Sequence, residues 1–143
     1  MAFNLVETGE EFVVDLIKTS GKSFDVGLYN DSTDSLTDSS DLAAITSEPN
    51  TANTYARQSE SAANLTVDTS GTDAVITFPT QTFDVSGNSQ TVDAYFTVVN
   101  FTSDETGDSS NTDHLFFNGA LSQSRDLSQI NTLEVSNIGG SQD

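Results

Sequence analysis

Apolar residues in this chain come in short runs, mostly alternating, between polar stretches rich in Ser, Thr and Asp. Phe24, Val26 and Leu28 share one face of such a run. Val92, Ala94, Phe96 and Val98 share one face of the longest, which spans 91–101. A period of two is the mark of a half-buried strand. Further strands are predicted at 11–18, 55–59, 64–68, 73–78 and 81–85, and around Leu115 to Phe117, Ala120 to Leu121 and Leu133 to Val135. The first is a β-branched apolar run broken only by Asp15, and Ser20, Gly21 and Lys22 supply a turn after it, so 12–29 reads as a β-hairpin. Pro79 ends the 73–78 run because it cannot donate to a ladder. Ser70-Gly71 and Ser86-Gly87-Asn88 are turn signals, and Gly139-Gly140 closes the pattern.

Between these runs, 30–53 and 102–113 read as long polar loops, the first with one helical turn at 39–46 that Ser39 or Ser40 would cap. Seven to nine short strands, with turn signals about every 8–12 residues, predict an all-β antiparallel β-sandwich, of which a jelly roll is one form. No apolar stripe of period 3.6 is read, which argues against a helical bundle. The 143 residues make one domain, 1–143, with long acidic loops. Alternation assigns the core to Phe12 or Val13, then Phe24, Val26, Leu28, Val75, Phe78, Val92, Phe96, Val98, Leu115, Phe117 and Leu133.

Charge changes the picture more than hydropathy does. Twenty-two Asp and Glu stand against four Lys and Arg, a net charge of −18, and only 34% of residues are hydrophobic. In dilute buffer such a surface repels itself. At 1 M salt the Debye length is about 3 Å, so exposed carboxylates hardly sense one another while their hydration persists. The expectation is a surface adapted to molar salt. Low hydrophobicity with high charge also characterises disordered chains, but clustered alternating runs do not. No run approaches 18 apolar residues, and the N-terminus lacks the basic-then-apolar pattern of a signal peptide. No membrane partner is therefore expected, and the chain is expected to be made and kept in the cytosol until something larger carries it out.

Candidate chemistry is sparse. Asp31, Asp34, Asp38 and Asp41 lie in one loop and offer oxygens to a structural divalent cation, although their spacing lacks the calcium-loop motif. Asp104, Glu105, Asp108 and Asp113 form a similar group. Among 22 acids such clusters arise readily, and the other reading of both is a salt-solvated loop. Paired carboxylates for glycoside hydrolysis would need split environments and aromatic sugar platforms, and there is no Trp. His114 is the only imidazole, no nucleophile elbow accompanies it, and there is no Cys. No enzyme activity and no cofactor are expected. Lys18, Lys22, Arg57 and Arg125 form no basic run, which excludes direct nucleic-acid binding. Each Arg could bridge carboxylates within the fold or across a subunit contact. Sequons occur at Asn30, Asn64 and Asn100.

Two stretches carry a resemblance. The run from Val26 to Leu42 (VGLYNDSTDSLTDSSDL), with Glu48-Pro49 and Tyr55-Ala-Arg-Gln58 after it, resembles small structural proteins from the virion gene blocks of tailed viruses. So does the closing segment from Gly119 to Leu127 (GALSQSRDL) with Asn131-Thr-Leu133 and a Gly-rich end. The resemblance skips most of 60–110, and its motifs mark fold positions rather than catalytic residues. Joined to the salt-adapted composition, it implies a virion protein of a tailed virus of halophilic archaea, assembled in the host cytoplasm. The role it implies is a capsid decoration or vertex (turret) protein present in many copies, with the major capsid protein, other virion proteins and its own copies as partners. A tail or head-to-tail connector component, or a carbohydrate-binding receptor-attachment module, are the alternatives.

Overall fold

The structure, a computed structural model, describes residues 6–71, 73–101 and 112–142. An opening helix, α1 (Glu7–Thr19), leads into β1 (Ser23–Tyr29), a one-turn helix α2 (Asp31–Asp34) and a 3₁₀ turn at Leu42–Ala44. Then follow β2 (Gln58–Ser61), β3 (Thr66–Asp68), β4 (Ala74–Thr77), β5 (Gln81–Asp84), β6 (Thr91–Phe101), β7 (Thr112–Asp126), β8 (Thr132–Val135) and β9 (Gly139–Gln142). The fold is an all-β antiparallel sandwich with 43% of residues in strands. Its main sheet has the order β2-β1-β6-β7. Facing it are β3-β4-β9 and the pair β5-β8, all joined antiparallel. This division into four, three and two differs from the two equal sheets of a jelly roll.

The segment expected to be the first strand is a helix. Glu10, Val14 and Ile17 fall at i, i+4 and i+7, and they turn to the sandwich: Glu10 and Val14 are buried and Ile17 packs against the core. Lys18 in the last turn suits the helix dipole. The C-terminus is closed by Thr19 Oγ1 donating to the Asp15 carbonyl at 2.8 Å and Ser20 Oγ to that of Ile17 at 2.7 Å. So 12–29 is a helix, a turn at Gly21 with φ 73°, and one strand, instead of a hairpin. A short apolar run is ambiguous between the two periods, and the 10/14/17 stripe is the signal that marks the helix. The segments around 115–117 and 120–121 are one continuous strand, β7, and Gly139-Gly140 opens β9 instead of ending the pattern.

Both faces of the main sheet are covered. Phe24, Val26 and Leu28 of β1, with Tyr95 and Val99 of β6, meet Ile76, Phe78, Phe83 and Leu133 in the principal core. On the other face Tyr29, Ala94, Phe96 and Val98 pack beneath Leu36, Leu42 and Ile45 of the long 30–53 loop. Val92 lies in the principal core instead of beside Ala94, because the register slips between them: Val92 opposes Arg125 whereas Ala94 opposes Ala120. A second slip, between Thr97 opposite Phe117 and Val98 opposite Leu115, leaves Phe116 unmatched. Phe116 and Phe117 then both reach the principal core, at ring distances of 5.2 Å to Phe24 and 5.6 Å to Phe78 respectively. Most of the expected core is buried, with three departures. Phe12 is 64% exposed, Val75 yields its place to Ile76, and Leu115 and Phe117 are only half-buried.

Candidate functional site

The loop acids bind the protein's own donors. Asn30 caps α2, accepting from the Thr33 N–H at 3.1 Å. Asp31 Oδ1 accepts from the Tyr29 hydroxyl at 2.9 Å and the Leu36 N–H at 3.2 Å. Asp34 takes four donors: the Thr46 and Ser47 hydroxyls, both at 2.6 Å, and the backbone N–H of each, both at 3.1 Å. Burial would raise the Asp34 carboxyl, but these donors outweigh it and hold it below its ordinary range. Asp93 behaves alike. Its slight burial is outweighed by the Ser32 hydroxyl at 2.6 Å and the N–H groups of Asp31 and Ser32. Asp38 and Asp41 are exposed, the latter preceding the 3₁₀ turn without a side-chain cap bond. The four aspartates expected to hold a divalent cation are therefore not brought together. Among the described residues no three acids or imidazoles converge as metal ligands. Asp104, Glu105 and Asp108 lie outside the described residues, and Asp113 accepts from Asn100 Nδ2 at 3.0 Å.

A second closely knit polar group centres on Glu48, Tyr55 and Arg57. Glu48 Oε1 accepts from the Tyr55 hydroxyl at 2.9 Å and Arg57 Nε at 2.8 Å, while Oε2 accepts from Arg57 Nη2 at 2.7 Å. The guanidinium also lies 5.0 Å from the Phe96 ring centroid. The Tyr55 hydroxyl in turn accepts the Leu28 N–H at 3.0 Å. β2 pairs with β1 only as far as Val26, so this hydroxyl replaces the ladder where the neighbouring strand has run out. Burial above all, then the charge of Glu48, pushes the Tyr55 hydroxyl well above its ordinary value. Arg57 thus bridges a carboxylate within the fold. A buried phenol and a carboxylate locked to a guanidinium hold no nucleophile or base facing a cleft, so the arrangement acts as a clasp between the long loop and the sheet.

The remaining candidates are scattered. His114 is half-buried on β7 opposite Val99. Arg125 is half-buried on the same strand, opposite Val92 and beside a small polar groove with Gln123 and Glu134. The Asn30 amide donates to the Thr91 carbonyl at 2.9 Å, and the exposed Asn64 and Asn100 donate theirs to Glu60 at 2.7 Å and Asp113 at 3.0 Å.

One surface stands apart. Among the described residues the exposed large apolar side chains are Val6, Phe12 and Leu16, all on or adjoining α1. Beside them runs an open groove of about 610 Å³ between α1 and the main sheet, with Val13, Leu16 and Ile17 as one wall and Phe24, Val99 and Phe116 as floor. Lys22 is the one charged residue of the described lining. Helical spacing of Phe12 and Leu16 marks this face, but read as a strand the same residues fall within a core layer. No helix among the described residues is long and apolar enough to cross a membrane. No family model matches the chain, and no curated protein or solved structure is significantly similar to it.

Proposed function

We propose that this chain is a structural subunit of a virion, a decoration or vertex protein docked in many copies on the capsid of a tailed virus living at molar salt. The carrying observation is the contrast between the uses of its residues. Buried and half-buried polar groups staple loops to the sandwich, whereas large apolar side chains among the described residues reach solvent along one helix only. That is the division of labour of a rigid module with a contact face. The resemblance of 26–42 and 119–127 to virion proteins supplies the particle, and the composition supplies the salt.

Subunits carrying 18 net negative charges repel one another and an acidic shell, and molar salt removes most of that repulsion while favouring apolar contact. Particles dialysed stepwise from molar to about 0.1 M salt should therefore shed this chain into the supernatant on sedimentation before circular dichroism shows its strands melting. Retention of the chain in the pellet at low salt would refute the electrostatic account. Absence of the chain from purified particles would refute the role.

A further inference from the structure

A single stripe holds α1 to the fold. Glu10, Val14 and Ile17 lie against the sandwich end made by β3, β4 and the 62–64 turn. On one flank the open groove of about 610 Å³ separates α1 from Phe24, Val99 and Phe116 of the main sheet. On the other flank Thr8, Glu11 and Asp15 face Val67 and Thr69 across a second cleft, of about 380 Å³. Phe12 and Leu16, at 64% and 51% exposure, give the helix little hold on the sandwich. Its first turn has no side-chain cap, since Val6 stands at the N-cap position. The stripe itself contains a fault. Among the described residues Glu10 is the one buried side chain that can carry a charge, at 6% exposure, and its Oε2 has no hydrogen-bond partner. β3, β4 and the 62–64 turn carry no Lys or Arg. The acid they do carry, Asp68, is exposed and accepts from the Ser70 N–H at 2.9 Å. Charged or protonated, Glu10 Oε2 gives up water on docking and gains no bond in its place, so the docked helix is held less firmly than an apolar stripe would hold it.

Beyond the helix, Gly21 takes φ 73° with open space where a Cβ would stand, and one residue later the Lys22 carbonyl is fixed by the Ala62 N–H at 2.9 Å. Gly21 is thus a joint between a lightly held helix and a firmly held strand. We infer that α1 is a hinged arm, which leaves the sandwich as one unit about Gly21 while the strands stay folded. A segment of 13 residues is too short to remain helical alone in water, so the released arm unwinds unless an apolar surface receives it. Released, it offers Val14 and Ile17 together with Phe12 and Leu16, whereas the docked helix keeps the first pair against the core. The contact face of the chain can therefore widen without any change in the sandwich.

The test is hydrogen exchange on the full chain in molar salt, read beside limited digestion with trypsin. The amides of α1 should exchange at one common rate, at least about a hundredfold faster than those of β6. Trypsin should cut after Lys18 before it cuts after Arg57 or Arg125, with the strand signal in circular dichroism retained. Glu10→Leu replaces the orphaned carboxyl with an apolar group of similar helix propensity. It should slow both α1 exchange and the cut after Lys18 about tenfold. Val14→Ala removes apolar hold from the same stripe and should speed both by about the same factor, so the outcome does not hang on one variant. An α1 that exchanges as slowly as β6 overturns the inference. Exchange graded from the helix ends inward, which is fraying, overturns it as well. So does a helix whose rate neither substitution moves.

Discussion

Replacing Glu48 with Ala is the perturbation that reports most directly on how this sandwich is held together. The substitution removes one acceptor from the buried Tyr55 hydroxyl and two charge-assisted bonds from Arg57. Tyr55 is 2% exposed, so its orphaned O–H has no water to turn to, a loss of about 1–3 kcal/mol. The Arg57 side chain keeps 29% of its exposure, so its loss belongs near the value for surface pairs, about 1 kcal/mol, well short of the cost of stranding a fully buried charge. Together they give about 3 kcal/mol. For 143 residues the unfolding entropy is about 0.3 kcal/mol/K, so the melting temperature should fall by about 10 °C. Thermal and urea unfolding followed by circular dichroism in molar salt measure this. Tyr55→Phe should cost a similar amount, because it orphans the Leu28 N–H, and the double variant should cost less than the sum. A Glu48→Ala chain within about 0.5 kcal/mol of wild type would refute the reasoning, placing this group among the surface contacts that contribute little. So would a loss seen only at low salt, since a half-buried hydrogen-bonded clasp is screened far less than an exposed ion pair.

Three further outcomes are expected. Gly27→Ala should destabilise by about 3 kcal/mol in urea titration, because a Cβ there meets the Phe96 ring, which Arg57 and the Tyr29 edge at 5.9 Å hold in place; pairing it with Phe96→Ala should recover part of the loss. The Asp34 carboxyl lies below its ordinary 3.8 in the folded chain, so its contribution is present above that pH and vanishes as pH falls through the folded value. Hydrogen exchange at the Thr46 and Ser47 amides should therefore quicken relative to β6 on acidification, and do so at neutral pH in Asp34→Ala. Burial raises the hydroxyls of Tyr29 and Tyr55 well above 10.0. The stability they contribute is complete below pH 10 and is lost above it, so a spectrophotometric titration should show both ionising only as the strands unfold.

The division between what is legible in the chain and what is not follows from the range of the interactions involved. Alternation is local, and it places β1, β4, β5, β6 and β8, the all-β antiparallel class and a core assignment most of whose members are buried, without reference to any neighbour. Excess charge is a sum over residues, and it points to salt whatever fold carries it. The helix at 7–19 escapes such a reading because a short apolar run satisfies both periods. Only the sandwich end formed by β3, β4 and the 62–64 turn selects the face carrying Glu10 and Val14. The same choice of period decides whether Phe12 and Leu16 are interior or a ridge in solvent. The slip that sends Val92 and Ala94 to opposite cores depends on their pairing with Arg125 and Ala120, far along the chain on β7. The hold of the Tyr55 hydroxyl on the Leu28 N–H, of Arg57 on the Phe96 ring, and the groove around Lys22 likewise exist only where separate segments meet. Spacing along a chain cannot encode which donor will find which acceptor, because that is settled by the packing of sheets already formed.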